Sequence, residues 1–466
     1  MYLKNAITGI RFWIVLFFVL RLFGITNPPL ETAHHWRQTT VTMPARNFLE
    51  TNNNILYPRV DFAGEKTGIT GMEFPALNYL IYLLSLVFGY AHWYGRLINL
   101  IVSSIGLWFF YKLVKKYFNQ SLAFNATFIL LFSIWFTYSR KIMPDTFSMS
   151  LVIIGIYYGS NYFDTKSSIK NISGYFIFTL LGVLSKLPSA YLLIVFAPFI
   201  FDTEKNRKAK IIFILTTGIV ISIVSVYYFY WVPYLTQHYQ FEHFFMGKGI
   251  LQGMREVFGD VYNGFEKFYL DTLQIAGFIL FVAGLGLAMK NKSHRIILVF
   301  SLSFGAFVVI IFKAGLTFTH HSYYMVPFAP VMALLAANTL EYLTQPKLKL
   351  ALLLLILIES LGNKMSDFYI KEENLALVRL ETELDKLGER KDLILINSGE
   401  VPTPMYFAHR KGWIAKNVKV ADDAWIQDLK SKGLKHIVIL KRVFAKEISL
   451  NYRKVLENKD FDIYEP

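Results

Sequence analysis

Four ionisable side chains at the borders of apolar runs are the residues of this sequence best placed to do chemistry. Glu31 stands in NPPLETAHHWRQ, Glu73 in GMEFPALNYL, Asp145 in RKIMPDTF, and Lys186 in Ser185-Lys186-Leu187-Pro188. An unpartnered charge at such a border is costly, so Glu31, Glu73 and Lys186 read first as functional. A carboxylate held there could take the proton of a hydroxyl as a general base. Pro28 and Pro29 stiffen the backbone just before Glu31, which makes it the first candidate. Its structural alternative is a carboxylate favoured by the dipole of a helix over Thr32–Leu49. Glu73, ahead of Phe74-Pro75, carries the same two readings, and Pro144-Asp145 could simply begin a helix. Lys186 lies inside an apolar run and requires a carboxylate, a phosphate or water, and a snorkelling lysine fits poorly at a hairpin apex.

His320 and His321, with Tyr323 and Tyr324, end a later apolar run and offer donors to a phosphate; an interfacial aromatic belt is the alternative, and it explains the tyrosines better than the paired histidines. His34 and His35 follow Glu31 closely, but no further ligand set accompanies them, so a metal is possible without being favoured. No cofactor is expected.

These residues must be held by membrane helices. The 466 residues are 54% hydrophobic and 17% aromatic, with apolar runs separated by short Lys-rich segments, the pattern of an α-helical polytopic membrane protein. The absence of cysteine excludes disulfides and thiol nucleophiles. The net charge of +15 sits in short loops between spans, which points to membrane orientation and away from nucleic acid. The first span, Phe12–Gly24, follows a short basic segment and keeps the N-terminus cytoplasmic. Lys112, Lys115 and Lys116 should lie on the same side, so Pro75–Tyr90 is expected to form a juxtamembrane helix that does not cross. The run over 174–200 needs an even number of crossings; two limbs of about 13 residues rise only ~20 Å against a ~30 Å hydrocarbon core. Lys186 is therefore expected in a cavity sunk below the outer surface.

The pattern predicts about eleven spans and a hydrophilic tail on the side opposite the N-terminus. Residues 1–362 form the transmembrane part, with a first outer loop over 27–90; residues 363–466 form a small α/β domain. In that domain helical patterns at Glu372–Leu387 and Ala424–Ser431 alternate with strand-like Leu393–Asn397 and His436–Leu440. It carries no phosphate-cradling glycine loop.

In this order and spacing the motifs resemble the GT-C superfamily of membrane glycosyltransferases, specifically bacterial relatives of protein O-mannosyltransferases and of the aminoarabinose transferase acting on lipid A. Leu30-Glu31 matches the acidic motif after the first span, Glu73-Phe74-Pro75 the end of the first loop, Arg96-Leu97 the following helix and Pro144-Asp145 the end of the third span. Lys186-Leu187-Pro188 matches the lipid-phosphate segment, and His320 to Pro327 the late basic-Tyr-Tyr-x-x-Pro helix start. PMYFAHRKGW in the tail is similar to the family's outer domain. Two positions depart: Leu30 stands where the family has Asp, and Phe74 where it has Lys.

The resemblance implies the GT-C fold, a bacterial plasma-membrane location and a polyprenyl-phosphate sugar donor. The acceptor would be a hydroxyl of a glycan, lipid or protein on the extracytoplasmic side. Glu31, Asp145 and Glu73 would be catalytic, and Lys186, His320, His321, Tyr324 and Arg96 would bind the donor phosphate, with inversion at the sugar. A lipid or polysaccharide transporter or flippase is the alternative, although no inverted repeat of broken helices is apparent. An envelope-assembly scaffold is a third.

Overall fold

The computed structural model describes residues 9–164, 168–243, 247–445 and 447–466. Most of the basic N-terminal segment, expected to be cytoplasmic, falls outside the described residues. The chain gathers into two compact units. A helical unit takes in Met1–Ile25, Arg96–Tyr228 and Phe245–Met365, and a mixed unit takes in Thr26–Gly95, Phe229–Phe244 and Ser366–Pro466.

Among the described residues three helices are long and apolar enough to cross a membrane: Tyr94–Tyr117, Arg207–Tyr239 and His294–Ala314. A fourth is added if Val261–Thr272 and Gln274–Lys290, bent by 99° at their junction, form one span. The count of about eleven came from apolar runs, and the fold breaks or shortens several of these. The apolar run over 122–138 is split into Gln120–Leu131 and Ile134–Tyr138, where Ser133 accepts a bond from the Trp135 amide and starts a new helix. The chain around Lys186 changes from the Ile169–Ser185 α-helix to a 3-10 helix over Leu187–Phe196, with Pro188 in its first turn. Proline cannot donate an amide to the preceding turn, so the α-helix ends there.

The Pro144–Asp164 helix is buried along most of its length and packs on Ile169–Ser185. A Cβ on Gly182 would lie 2.8 Å from Val152 and 3.0 Å from the Ser148 carbonyl oxygen, so glycine permits this close approach. Ser148 Oγ then donates to the Gly182 carbonyl at 2.7 Å. The first helix, Ile10–Leu22, has 13 residues and carries Arg21 buried near its end. Arg21 donates to the Thr137 carbonyl at 3.2 Å and lies 4.2 Å over the Phe136 ring, which accounts for a charge out of place in an apolar run.

The mixed unit joins the first loop to the tail. Its helices His35–Glu50 and Ala76–Phe88 pack together, and the second has 13 residues, a rise of ~20 Å that is short for a crossing. The helix expected from Thr32 begins at His35, because His34 adopts a left-handed conformation, φ 63°, just before it. In the tail, strands β1 (Leu393–Ile396), β2 (Gly412–Ile414), β3 (Leu434–Leu440), β4 (Arg453–Glu457) and β5 (Phe461–Glu465) form one sheet in the order β2-β1-β3-β5-β4. β1 runs parallel to β2 and β3, while β5 is antiparallel to β3 and β4. Gly412 is opposite Ile394, whose carbonyl oxygen would be 1.8 Å from any Cβ there.

Alternate strand residues face two cores. Leu395, Ile437, Ile439 and Tyr464 pack with Ile426 and Leu429 of the Asp423–Ser431 helix. Ile394, Ile396, Val438 and Ile463 pack with Leu30, Met43 and Val60 of the first loop. Arg46 fixes that second face through Asp61 at 2.8 Å, the Tyr406 carbonyl at 3.0 Å and the Tyr406 ring at 4.7 Å. Compact units therefore follow space, whereas the sequence division at residue 363 follows chain order.

Candidate active site

In the helical unit, Asp145 occupies the first turn of the Pro144–Asp164 helix, and a network around Asn99 sets where that turn begins. Asn99 Nδ2 lies within bonding distance of the carbonyls of Tyr138, Lys141 and Met143 at 2.9, 2.8 and 3.2 Å. Thr146 Oγ1 donates within the same network, 3.1 Å from Asn99 Oδ1 and 3.0 Å from the Tyr138 carbonyl. One polar side chain in an apolar helix thus shares its two N–H groups among the carbonyls of the turn leading into Asp145.

Lys186 stands in extended conformation where the Ile169–Ser185 helix stops. Its Nζ lies 3.4 Å from Asp145 Oδ1 and 5.2 Å from the Tyr323 ring centroid. Both ionic side chains are largely buried, at 12% and 3% exposure, where a charge pair is screened little. Tyr323 stacks with His321 at 5.2 Å and Tyr324 at 4.9 Å, and Tyr138 shares a 2.8 Å hydroxyl bond with Ser322. The backbone at Lys186 is held as well: its carbonyl accepts from Ser189 Oγ at 2.8 Å, while Tyr191 OH donates to the Pro327 carbonyl at 2.7 Å.

His320 and Arg96 are placed differently. The His320 side chain is 56% exposed, with Nε2 3.8 Å from Asp260. Arg96 is fully buried and donates to the Ile25 carbonyl at 3.0 Å, tying the start of its helix to the end of the first.

In the mixed unit, Glu31 is fully buried and accepts a 3.2 Å bond from Gln38 Nε2, one turn into the His35–Glu50 helix. Thr32 beside it bonds the Tyr369 carbonyl through both its amide, at 2.9 Å, and its hydroxyl, at 2.8 Å. Glu73 forms a close ion pair with Arg37, both nearly buried. His243 lies near that pair, and burial first, with the Arg37 charge second, pulls its pKa down to about 4 against the opposing pull of Glu73. His35 Nδ1 is 3.0 Å from Thr403 Oγ1, and its ring is 4.7 Å from that of Phe444. Among the described residues no group of three or more His, Asp or Glu is arranged to hold a metal.

The fold thus unites Asp145, Lys186, Tyr323, His321 and Tyr324 within one unit, and Glu31 and Glu73 within the other. Sequence reasoning missed Asn99, Gln38, Arg37 and the ring of Tyr323 beneath Lys186. Asn99 did carry a signal, a polar side chain in an apolar helix. Arg37 did not, because a charged residue in a loop helix has many solvated explanations.

Mostly helical architecture with a small mixed C-terminal sheet is the fold of the GT-C membrane glycosyltransferases. ArnT from Cupriavidus metallidurans bound to undecaprenyl phosphate superposes with a TM-score of 0.59 over 97% of both chains at 12% identity. The archaeal oligosaccharyltransferase AglB from Archaeoglobus fulgidus, in complex with an inhibitory peptide and a dolichol-phosphate, gives 0.55 at 12% identity, over 92% of this chain and 69% of its own. Residues 73–231 match the family model described as dolichyl-phosphate-mannose-protein mannosyltransferase, so the sequence resemblance holds over the segment containing Glu73, Asp145 and Lys186. No curated protein matches the chain by sequence. The protein is an integral membrane protein of this fold.

Proposed function

We propose that the protein is a membrane glycosyltransferase that moves a sugar from a polyprenyl-phosphate donor to an acceptor hydroxyl on the extracytoplasmic face. The observation that carries this reading is the Asp145–Lys186 pair at 3.4 Å, formed at a helix break inside the matched segment. Support for the donor class comes from the shared fold, since the ArnT structure holds undecaprenyl phosphate and the AglB structure a dolichol-phosphate.

In the proposed reaction the acceptor oxygen attacks the anomeric carbon as the bond from that carbon to the phosphate oxygen breaks, which inverts the centre. The electron pair leaves with the lipid phosphate, whose growing negative charge Lys186 neutralises. Asp145 orients the ammonium, and Tyr323 with His321 walls its approach. The acceptor proton passes to a carboxylate, Glu31 first and Asp145 second, because the charge of Asp145 is already engaged by Lys186. Gln38 holds the Glu31 carboxylate in one orientation. Glu73, paired with Arg37, supports the loop that carries Glu31.

One observation also suits a transporter: the 99° bend between Val261–Thr272 and Gln274–Lys290, since broken helices line many transport sites. Reconstituted protein given a labelled polyprenyl-phosphate sugar separates the two. Appearance of label in a water-soluble or lipid acceptor, with release of free polyprenyl phosphate, supports transfer. Movement of intact donor between leaflets without release rejects it.

A further inference from the structure

A second feature of the helical unit lies at the other end of the Pro144–Asp164 helix. A cavity of about 430 Å³ opens there, walled by apolar side chains such as Phe110, Ile156, Leu192, Val299 and Leu334. Its volume falls within the range of small-molecule sites. The border of the cavity is ionic: Asp164 pairs with Lys116 and Lys205, both at 2.9 Å, and accepts from Tyr117 OH at 2.7 Å. Asp202 and Arg295 complete it. Arg295 gives one guanidinium N–H to the Tyr117 carbonyl at 3.1 Å, is exposed, and has no carboxylate partner among the described residues. Lys205 and Arg295 balance Asp164 and Asp202 in the lining, and Lys116 engages Asp164 from beside it, so Arg295 is the cation left to meet an anion above the apolar interior.

Such a shape fits an amphiphile with a hydrocarbon chain and an anionic head. Asp145 and Asp164 are separated by ~28 Å along one helix, about the thickness of the hydrocarbon core. A headgroup at Arg295 is therefore a bilayer away from Lys186, and the two cannot serve one phosphate. The basic loops put this end in the cytoplasmic leaflet, where anionic phospholipids concentrate and where basic pockets between helices receive their headgroups.

We propose that this cavity binds one acyl chain of an anionic phospholipid, with the headgroup phosphate on Arg295, as a site separate from the Asp145–Lys186 pair. The chain fills the wedge between the Tyr94–Tyr117, Pro144–Asp164 and His294–Ala314 helices, so its occupancy couples the packing of these helices to the composition of the membrane. This proposal stands apart from the transfer reaction and requires no donor.

Native mass spectrometry of the full chain in detergent, titrated with phosphatidylglycerol, phosphatidylcholine or undecaprenyl phosphate, tests it. One phosphatidylglycerol should be retained per chain with about tenfold preference over phosphatidylcholine, whose choline ammonium offsets the phosphate charge that Arg295 meets. Arg295→Gln should erase the preference while leaving the elution profile and melting temperature without added lipid unchanged. Val299→Trp, which fills the cavity, should abolish retention of either phospholipid. If Val299→Trp fails to fold, the exposed Arg295→Gln variant alone decides. Equal retention of the two phospholipids, an undiminished preference in Arg295→Gln, or displacement of phosphatidylglycerol by undecaprenyl phosphate would overturn the proposal.

Discussion

The Lys186 ammonium lies 3.4 Å from Asp145 Oδ1, joining the break after one helix to the first turn of another. Breaking a buried pair by removing one partner typically costs about 3–5 kcal/mol, because it strands the other charge. Lys186→Met should therefore lower thermal stability in detergent and abolish donor use, and adding Asp145→Asn should restore stability but not transfer. Recovery of both in the double variant would make the pair purely structural.

Glu31→Gln keeps the shape of the side chain and a group able to bond Gln38, but it cannot accept a proton. Transfer should fall by about 10²–10⁴-fold with donor binding unchanged, as measured by single-turnover rates and by donor titration. If Glu31→Gln transfers normally while Asp145→Asn is inactive, the base is Asp145.

Asn99→Ala removes the donor shared by three carbonyls ahead of Asp145. The unsatisfied carbonyls should cost about 1–3 kcal/mol in unfolding free energy. Because Asn99 acts through Asp145 and Lys186, the KM for donor should rise more than kcat falls. A loss of stability with unchanged KM would confine Asn99 to a packing role.

Two histidines of the mixed unit should give its stability a maximum near pH 6.5. The His243 pKa is depressed to about 4, so its contribution is complete above the unfolded value of about 6.5 and is lost as pH falls toward 4, by at most about 3 kcal/mol. Burial pulls the His409 pKa down, but bonds to Glu381 at 2.7 Å and Glu50 at 2.8 Å outweigh it and raise the value despite the nearby Arg46. Arg390 shares Glu381 with it. That contribution is complete below about 6.5 and is lost as pH rises through the raised pKa. Hydrogen exchange of the β1 and β3 amides across pH 4–9 should show both limbs, with His243→Phe flattening the acid side and His409→Gln the alkaline side. Unchanged limbs in these variants would assign the pH dependence to other groups.

The sequence by itself determined that the chain is a membrane protein and that Lys186 needs an explanation, because apolar length and a charge within it have few alternatives in a bilayer. It also disclosed β1 and β3, whose apolar runs are buried on both faces, but not β4, where Arg453, Lys454 and Glu457 hide an edge strand paired with β5. Tertiary structure alone decided the partner of Lys186, since Asp145 is distant in sequence and the aromatic ring at Tyr323 more distant still. It likewise decided that the first loop and the tail share one core: Leu30 and Val60 pack with Ile396 and Val438, a contact that no local period records. Local patterns report which face of an element is apolar. Which other face it meets depends on how the whole chain closes over it.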